Sequence, residues 1–590
     1  MEPNVLASRQ RLSGLHAGLL VAAWLCAGAS ATVCAAAAAP NAAPAGAAAP
    51  APDTGTASSD SAGAAATSKA APAASGPAAN AAAREEQKPI VDLVEKPVPL
   101  VDAAHAGDST KTLALLAQKP APDVNQKAAD GTTALHWAVY HNDERLVERL
   151  LAAGADASAK NDYGATPLSV AAVVGNIAVL KQLLKAGADV EAANADGQTA
   201  LMILARTSNL EAAKLLIRHG ANVNAREQWR GQTALMWAAA ENQPAMVKLL
   251  ISHHARVNDR SEVNDWERQV TAEPRMQARP SGGFTALLYA VRKGCLDCVK
   301  FLLAGGADVN MADPEGVTPL LRAIENFNFD VAAYLVSHGA DVNKWDLWGR
   351  APLYAAVDMN TLPVGGRADR PSSSHTTGPQ LIQILLEAGA NPNLQLKLFP
   401  PYRSLRDDRG ADQVLGVGAT PLLRAAKAGD LPAMQLLLAH GAIADLPTES
   451  GVTPLMAAAG NGSSALDTRG RYKTQAQAVQ AAQALLAAGA DVNARERNGQ
   501  TALYGAATWG WDDLVRTLAA HHADLMVKDD RGRTAADVAM GTASTSGRSS
   551  SQAHPETAAL LRRLMSGTSP PVADNAPPAK EPGASASAEQ

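Results

Sequence analysis

Two of the four cysteines, Cys295 and Cys298, stand in a Cys-Leu-Asp-Cys run directly after Gly294. A helix start lowers a thiol's pKa, and this spacing lets two sulfurs pair. The run therefore suits thiol exchange, a structural disulfide or two free cysteines, although no thioredoxin-like strand-helix-strand pattern surrounds it. A second C-x-x-C is missing, so no four-cysteine zinc site is expected, and the thirteen His do not group as ligands. No glycine-rich phosphate loop follows a strand pattern and no G-x-S-x-G elbow appears. Carboxylates such as Asp297 and Asp341 fall where backbone capping explains them. We expect no catalytic residue, no cofactor and no metal.

Charge and composition narrow the class further. The chain of 590 residues carries 52 basic and 57 acidic side chains, a net charge of -5, so it lacks the cationic field that gathers on phosphate backbones, and nucleic acid is not an expected partner. Aromatic residues make up 4% against 46 Gly and 35 Pro, which argues against one large aromatic core.

The ends read differently from the middle. Arg9 and Arg11 precede an apolar run, Leu19 to Ala27, and Ala29-Ser30-Ala31 offers a small-residue cleavage site, so residues 1–31 are expected to be a signal peptide. An uncleaved membrane anchor is the alternative. Residues 32–88 are rich in Ala, Pro, Gly, Ser and Thr and too poor in large apolar groups to offset ordering entropy, and 566–590 have the same character. Both are expected to be disordered. The Ala/Pro-rich leader points to an exported bacterial protein with the periplasm as its default address; the extracellular space and the inner membrane are the alternatives.

Between the ends, a Gly-x-Thr anchor recurs eleven times from Gly131 to Gly532, mostly 33 or 34 residues apart, with Ala351 replacing Thr once. Thr can cap a first helix, and the Pro that often follows, as at Pro167 and Pro319, fits the first helical position. About twenty residues later comes Leu-Leu-x-x-Gly-Ala-Asp/Asn, as in Leu183 to Asp189, whose Gly permits a left-handed helix stop. Each unit codes turn, helix, short loop, helix and extended finger.

These motifs resemble the ankyrin repeat family, on Thr133-Ala134-Leu135-His136-Trp137-Ala138 and Gly306-Ala307-Asp308-Val309-Asn310. The resemblance implies an all-α repeat solenoid of about twelve units over 89–565, with helix-turn-helix pairs, β-hairpin fingers and a degenerate first unit at Pro99 to Ala104. Stacking gives each unit the apolar cover it cannot supply alone. His254 and His522 depart from the pattern by replacing the stop Gly, and those junctions are expected to be strained or bent.

The resemblance also places the residue two after the motif Leu on the inner-helix, concave face. That position reads Trp137, Val170, Ile203, Trp237, Tyr289 and Arg322 along the N-terminal units, a set rich in the types that dominate interfaces. Packing between inner helices is the competing reading. Tyr163, Trp229 and Trp348 lie beside the finger-turn Gly, either open to a partner or packed finger on finger.

Spacing exposes the inserts. Trp237 and Tyr289 are 52 apart where neighbours stand 33 apart, and Gly389 and Arg424 are 35 apart where Gly339 and Ala355 stand 16 apart, which puts long finger inserts near 259–282, with Trp266, and near 394–417, with Tyr402. Two Ser-rich inserts, near 360–378 and 462–474, fall between the helices of a unit. We therefore expect an exported, non-catalytic scaffold that binds a protein through the inner-helix face and the finger rim. A secreted effector acting on host proteins is the alternative, and a redox protein using Cys295 and Cys298 a more distant one.

Overall fold

In the computed structural model the first helix of almost every unit starts at its Thr. The Thr166 hydroxyl accepts from the Ser169 N–H at 3.1 Å, and Thr318 accepts from Leu321 at 3.2 Å. At Thr133 the His136 side chain completes the arrangement, with Nδ1 2.8 Å from the Thr hydroxyl and Nε2 3.0 Å from the Ala165 carbonyl of the next unit. The structure describes residues 98–264, 281–361, 374–398, 413–462, 473–541 and 553–567. The expected leader and linker lie outside them, as do the tail beyond Gly567, Trp266, Tyr402 and the central parts of the four inserts.

Among the described residues the chain forms twelve helix pairs. They are α1 (Pro99–His105) with α2 (Ser109–Leu116), α3 (Ala134–Tyr140) with α4 (Glu144–Ala152), α5 (Pro167–Val174) with α6 (Ile177–Lys185), and α7 (Ala200–Thr207) with α8 (Leu210–Arg218). Next come α9 (Ala234–Ala240) with α10 (Pro244–Ser252), α11 (Ala286–Lys293) with α12 (Leu296–Ala304), α13 (Pro319–Glu325) with α14 (Phe329–Ser337), and α15 (Pro352–Asn360) with α16 (Gly378–Glu387). The stack ends with α17 (Pro421–Ala428) and α18 (Leu431–Ala439), α19 (Pro454–Ala459) and α20 (Gln475–Ala487), α21 (Ala502–Trp509) and α22 (Asp512–Ala520), and α23 (Ala535–Ala539) and α24 (Pro555–Met565).

First helices pack on first helices and second helices on second helices along the whole stack. One apolar cluster runs through it from Leu100 to Leu561. Small residues such as Ala138, Ala171, Ala290 and Ala425 are fully buried on the first helices, where they let backbones approach closely. The architecture is the expected all-α repeat solenoid. Its fingers differ in detail, because they are tight turns more than strands. The only strand pair among the described residues is β1 (Val263–Asn264) against β2 (Ser281–Gly282), at the base of the first finger insert. Elsewhere an Asp or Asn three before the turn Gly accepts two backbone N–H groups, as Asn161 does from Tyr163 and Ala165. Such local bonds satisfy the turn without a ladder.

Two rows of hydrogen bonds tie unit to unit. In the finger row, a backbone N–H meets the carbonyl of the preceding finger, as Asp162 to Asp130 at 2.9 Å, Leu347 to Glu315 at 2.9 Å and Asp530 to Asn498 at 3.0 Å. In the second row, the Asn that closes the Gly-Ala-Asp-x-Asn motif reaches forward. The Nδ2 of Asn310 donates to the Gly339 carbonyl at 3.2 Å while its Oδ1 accepts from the Asp341 N–H at 2.8 Å. Asn125, Asn224, Asn258, Asn343, Asn393 and Asn493 do the same.

His254 and His522 take the left-handed conformation, with φ of 65° and 66°, in the place of the stop Gly. Both still deliver their carbonyls to the Asn row, so the departures sit in the φ angle and not in a broken contact. A further break lies in the last unit. Residues between Gly541 and Pro555 separate α23 from α24, an inter-helix insert that sequence spacing missed because the final helix has no Leu-Leu-x-x-Gly-Ala stop.

The Asn row sets a prediction. Asn310→Ala removes a donor and an acceptor and is expected to cost about 1–2 kcal/mol. At Asp445 the side chain accepts from the Asp491 N–H but has no proton for a forward carbonyl, so Asp445→Asn should gain about 0.5–1 kcal/mol. Denaturant unfolding read with site-resolved amide exchange checks both, and a neutral Asn310→Ala would remove the row from the account of stability.

Candidate functional site: the inner-helix face and finger rim

The residue two after the motif Leu lies on the first-helix face in every unit, and the residue three further on lies one turn along the same side. Together they form a two-residue-wide stripe. Sequence reading found the first column and missed the second, which holds Tyr140, Val173, Arg206, Arg292, Glu325, Asp358 and Lys427. The signal was available, because i and i+3 share a helix face.

The N-terminal stretch is aromatic and aliphatic. Half-buried Trp137 stacks on His105 of the preceding unit, ring centres 4.0 Å apart, and meets Tyr140 edge-on at 5.7 Å. Tyr140 is 41% exposed and Val173 46%, so the second column stands open beside half-buried Trp137 and Val170. Ile203 is buried, and half-buried Trp237 carries the Arg206 guanidinium 4.8 Å from its ring centre. Among the described residues the buried Trp237 indole N–H has no hydrogen-bond partner, and the ring is held by packing and by the cation. Tyr289 is buried as well. Its hydroxyl accepts from Gln232 at 2.6 Å, and its ring meets Phe284 at 5.4 Å. Ile203 and Tyr289 thus pack within the stack, whereas Trp137, Val170 and Trp237 keep part of their surface open.

From Arg322 onward the stripe turns ionic. Arg322 pairs with Asp313 at 2.5 Å and Glu325 at 3.2 Å, and Arg350 bridges Glu325 at 2.7 Å and Asp346 at 2.6 Å. Burial pushes the Asp346 carboxyl above its ordinary value, with Arg350 opposing that shift. Further on, Arg424 is almost wholly buried and pairs with Asp358 at 2.5 Å. These arginines spend their charge inside the stack.

The finger residues divide. Trp229 is 62% exposed and Tyr163 exposed near its turn, while Trp348 is 4% exposed and lies beneath the Arg350 guanidinium at 5.1 Å. Trp348 therefore packs finger on finger and presents no surface. Trp345, Leu347 and Leu398 replace it as exposed apolar groups on that rim.

Cys295 and Cys298 form a disulfide, buried at the start of α12. Its position explains it locally. In other units a carboxylate or amide caps the second helix, as Asp143 does for the Leu146 N–H and Asn209 for Ala212. Here the Cys295 sulfur accepts from the Cys298 N–H at 3.1 Å, and Cys298 fills the buried apolar position that Val179 and Val331 fill elsewhere.

The inter-helix inserts return through capping residues. Thr377 with Gln380 and Thr474 with Gln477 form capping boxes that start α16 and α20. Asp330 of α14 fastens the first return, accepting from the His375 N–H, the Thr376 N–H and the Thr376 hydroxyl at 2.7 to 2.9 Å. Partial burial favours the neutral acid, but those hydrogen bonds outweigh it and hold the carboxyl at about 2.

This is the geometry of ankyrin repeats: stacked helix pairs, fingers and an inner face of variable side chains. The ankyrin-repeat triple model matches residues 100–194, 191–261, 269–346, 287–364 and 374–467, and the single-repeat model matches 450–497. The chain belongs to the ankyrin repeat family. No curated protein matches it. The helix pairs continue past residue 497, through α21 to α24, and the finger row reaches Asp530 and the Asn row His522, where the family models do not reach.

Two predictions follow from the local chemistry. Because the sulfur acts as a cap, Cys295→Val with Cys298→Val should be less stable than Cys295→Asn with Cys298→Val by about 1 kcal/mol, read by denaturant unfolding under oxidising conditions. Equal stabilities would remove the capping role. For Asp330 the folded value lies below the ordinary 3.8, so its contribution is fully present above that value and is lost as pH falls toward about 2. Asp330→Asn should lower stability at neutral pH by on the order of 1 kcal/mol and flatten the loss between those values, measured by unfolding across that range.

Proposed function

We propose that this chain is a non-catalytic scaffold that holds a protein partner on the N-terminal inner-helix face and the adjoining finger rim. Ankyrin repeats mediate protein–protein contacts, and that general activity comes with the family. The observation that supports this location is the half-open aromatic stripe of Trp137, Tyr140, Val170, Val173 and Trp237 on the first helices α3, α5 and α9, while from Arg322 to Arg424 the face is closed by its own ion pairs. Large, stiff side chains already held by neighbours lose little entropy on contact, which is how such residues dominate interfaces. Exposed Trp229 and Tyr163 extend the same reading to the rim.

We place the protein outside the cytoplasm, in the periplasm. The leader composition supports this, and so does the Cys295–Cys298 disulfide, since such bonds persist in oxidising compartments. Among the described residues no helix is long and apolar enough to cross a membrane. Release as an effector that engages host proteins uses the same binding face and differs only in address.

The test is crosslinking in cells with the tagged full chain, wild type beside Trp137→Ala/Trp237→Ala, after fractionation. A partner in the envelope fraction whose recovery drops about tenfold or more in the variant, with helicity retained, is the expected result. Equal recovery from both chains overturns the inner-face location, and accumulation outside the cell overturns the periplasmic address.

A further inference from the structure

The inner-helix face carries two kinds of cation. Arg322 and Arg424 on that face, with Arg350 on the adjoining finger, are each engaged by carboxylates of the stack at 2.5 to 3.2 Å. Arg206, in the last turn of α7, and Lys293, at the end of α11, are exposed, and neither has an ion-pair partner among the described residues. Arg206 is nevertheless held in place, its guanidinium lying over the Trp237 ring at 4.8 Å. Arg292 lies beside Lys293 and is poised over Tyr289 at 5.4 Å. Opposing them on this stretch is Glu241, exposed at the end of α9, and far along the face Asp102 on α1. Among the described residues Arg206 and Lys293 stand on this stretch against Glu241, and Arg206 lies on the helix that packs on α5, whose exposed Val173 and Val174 continue the open surface of Tyr140.

We propose that the partner of this face is a protein segment that presents aliphatic or aromatic side chains to Tyr140, Val173 and Val174 and carboxylates to Arg206 and Lys293. This rests on the protein-binding reading above and adds the chemistry of the ligand. An apolar patch alone is indifferent to partner charge. A cation set on an aromatic ring keeps its donors outward, and it favours a carboxylate that approaches with partly dehydrated apolar neighbours. A basic segment meets like charge at the same place, which excludes it. The buried arginines of the C-terminal half do not serve this role, because engaging a ligand would first break pairs already removed from water.

A random twelve-residue peptide display library panned on the immobilised full chain tests this, with Arg206→Glu/Lys293→Glu and Tyr140→Asp/Val173→Asp as parallel targets. All four side chains are at the surface, so the variants are expected to fold, and circular dichroism checks it. Wild-type selection should enrich Asp and Glu next to aliphatic or aromatic residues. Synthetic peptides of those sequences should bind about tenfold or more weakly to the charge-reversed chain and lose affinity with added salt. Changing their carboxylates to amides should abolish that sensitivity. No enrichment, enrichment of neutral or basic peptides, or indifference to charge reversal overturns the proposal. Peptides without carboxylates that still need Tyr140 and Val173 would overturn the charge selection alone and leave the protein-binding reading standing. Peptides indifferent to every variant would overturn both.

Discussion

The dependence of each unit on its neighbour governs this molecule. A single helix pair has an apolar side it cannot cover and carbonyls at the end of its second helix that it cannot satisfy. The stack answers both at once. Apolar groups close against the next pair, and an Asn from one unit donates to the loose carbonyl of the next, as Asn343 does to Gly389 at 3.0 Å. The same Asn accepts a backbone N–H, so one side chain fixes both the distance and the register between units. Position along the chain is thereby converted into position along a surface. Which side chains share a face follows from that conversion.

That dependence explains what could be read from sequence. The left-handed Gly, the Thr cap and the motif Asn are each demanded by backbone geometry, so they recur in fixed places and the fold is legible from them. The columns of the inner face were half legible. The first follows from the motif Leu, and the second, Tyr140 to Lys427, needed only the helical period. Burial was not legible, since Trp348 and Trp229 both flank a turn Gly and look alike as letters. They differ in burial, Trp348 lying beneath Arg350 at 4% exposure and Trp229 standing 62% exposed. The Cys pair was open for a similar reason. Three readings fitted the spacing, and the choice depended on the neighbouring caps, which only become comparable once the units are superposed by their shared bonds.

The inserts show how tolerant this frame is. Asn310 reaches a unit 29 residues on, while Asn343 and Asn393 reach across inserts to carbonyls 46 and 48 residues away, and the bonds are of ordinary length in all three cases. The extra residues leave and return without disturbing the row. Their roots are fastened by local chemistry, the β1–β2 pair at one finger and Asp330 at one inter-helix loop. Long loops cost little extra entropy once their ends are fixed, so a stack of this kind can carry large excursions at set places.

The division of the inner face follows from the same economy of neighbours. Where adjacent units place opposite charges on the stripe, as Asp358 and Arg424 do, the face closes on itself and its arginines become part of the fold. Presenting them to a ligand would require replacing partners already within 2.5 to 3.2 Å. Where adjacent units place aromatic and small aliphatic groups instead, as from Trp137 to Trp237, packing does not cover the whole surface, and Trp137 stays half-buried even where it stacks on His105 of the preceding unit. Stability and recognition thus use the same positions in different units. The sequence at each position decides whether its side chain is consumed by the neighbouring unit or left for another molecule, and the change of character at Arg322 marks where one use gives way to the other.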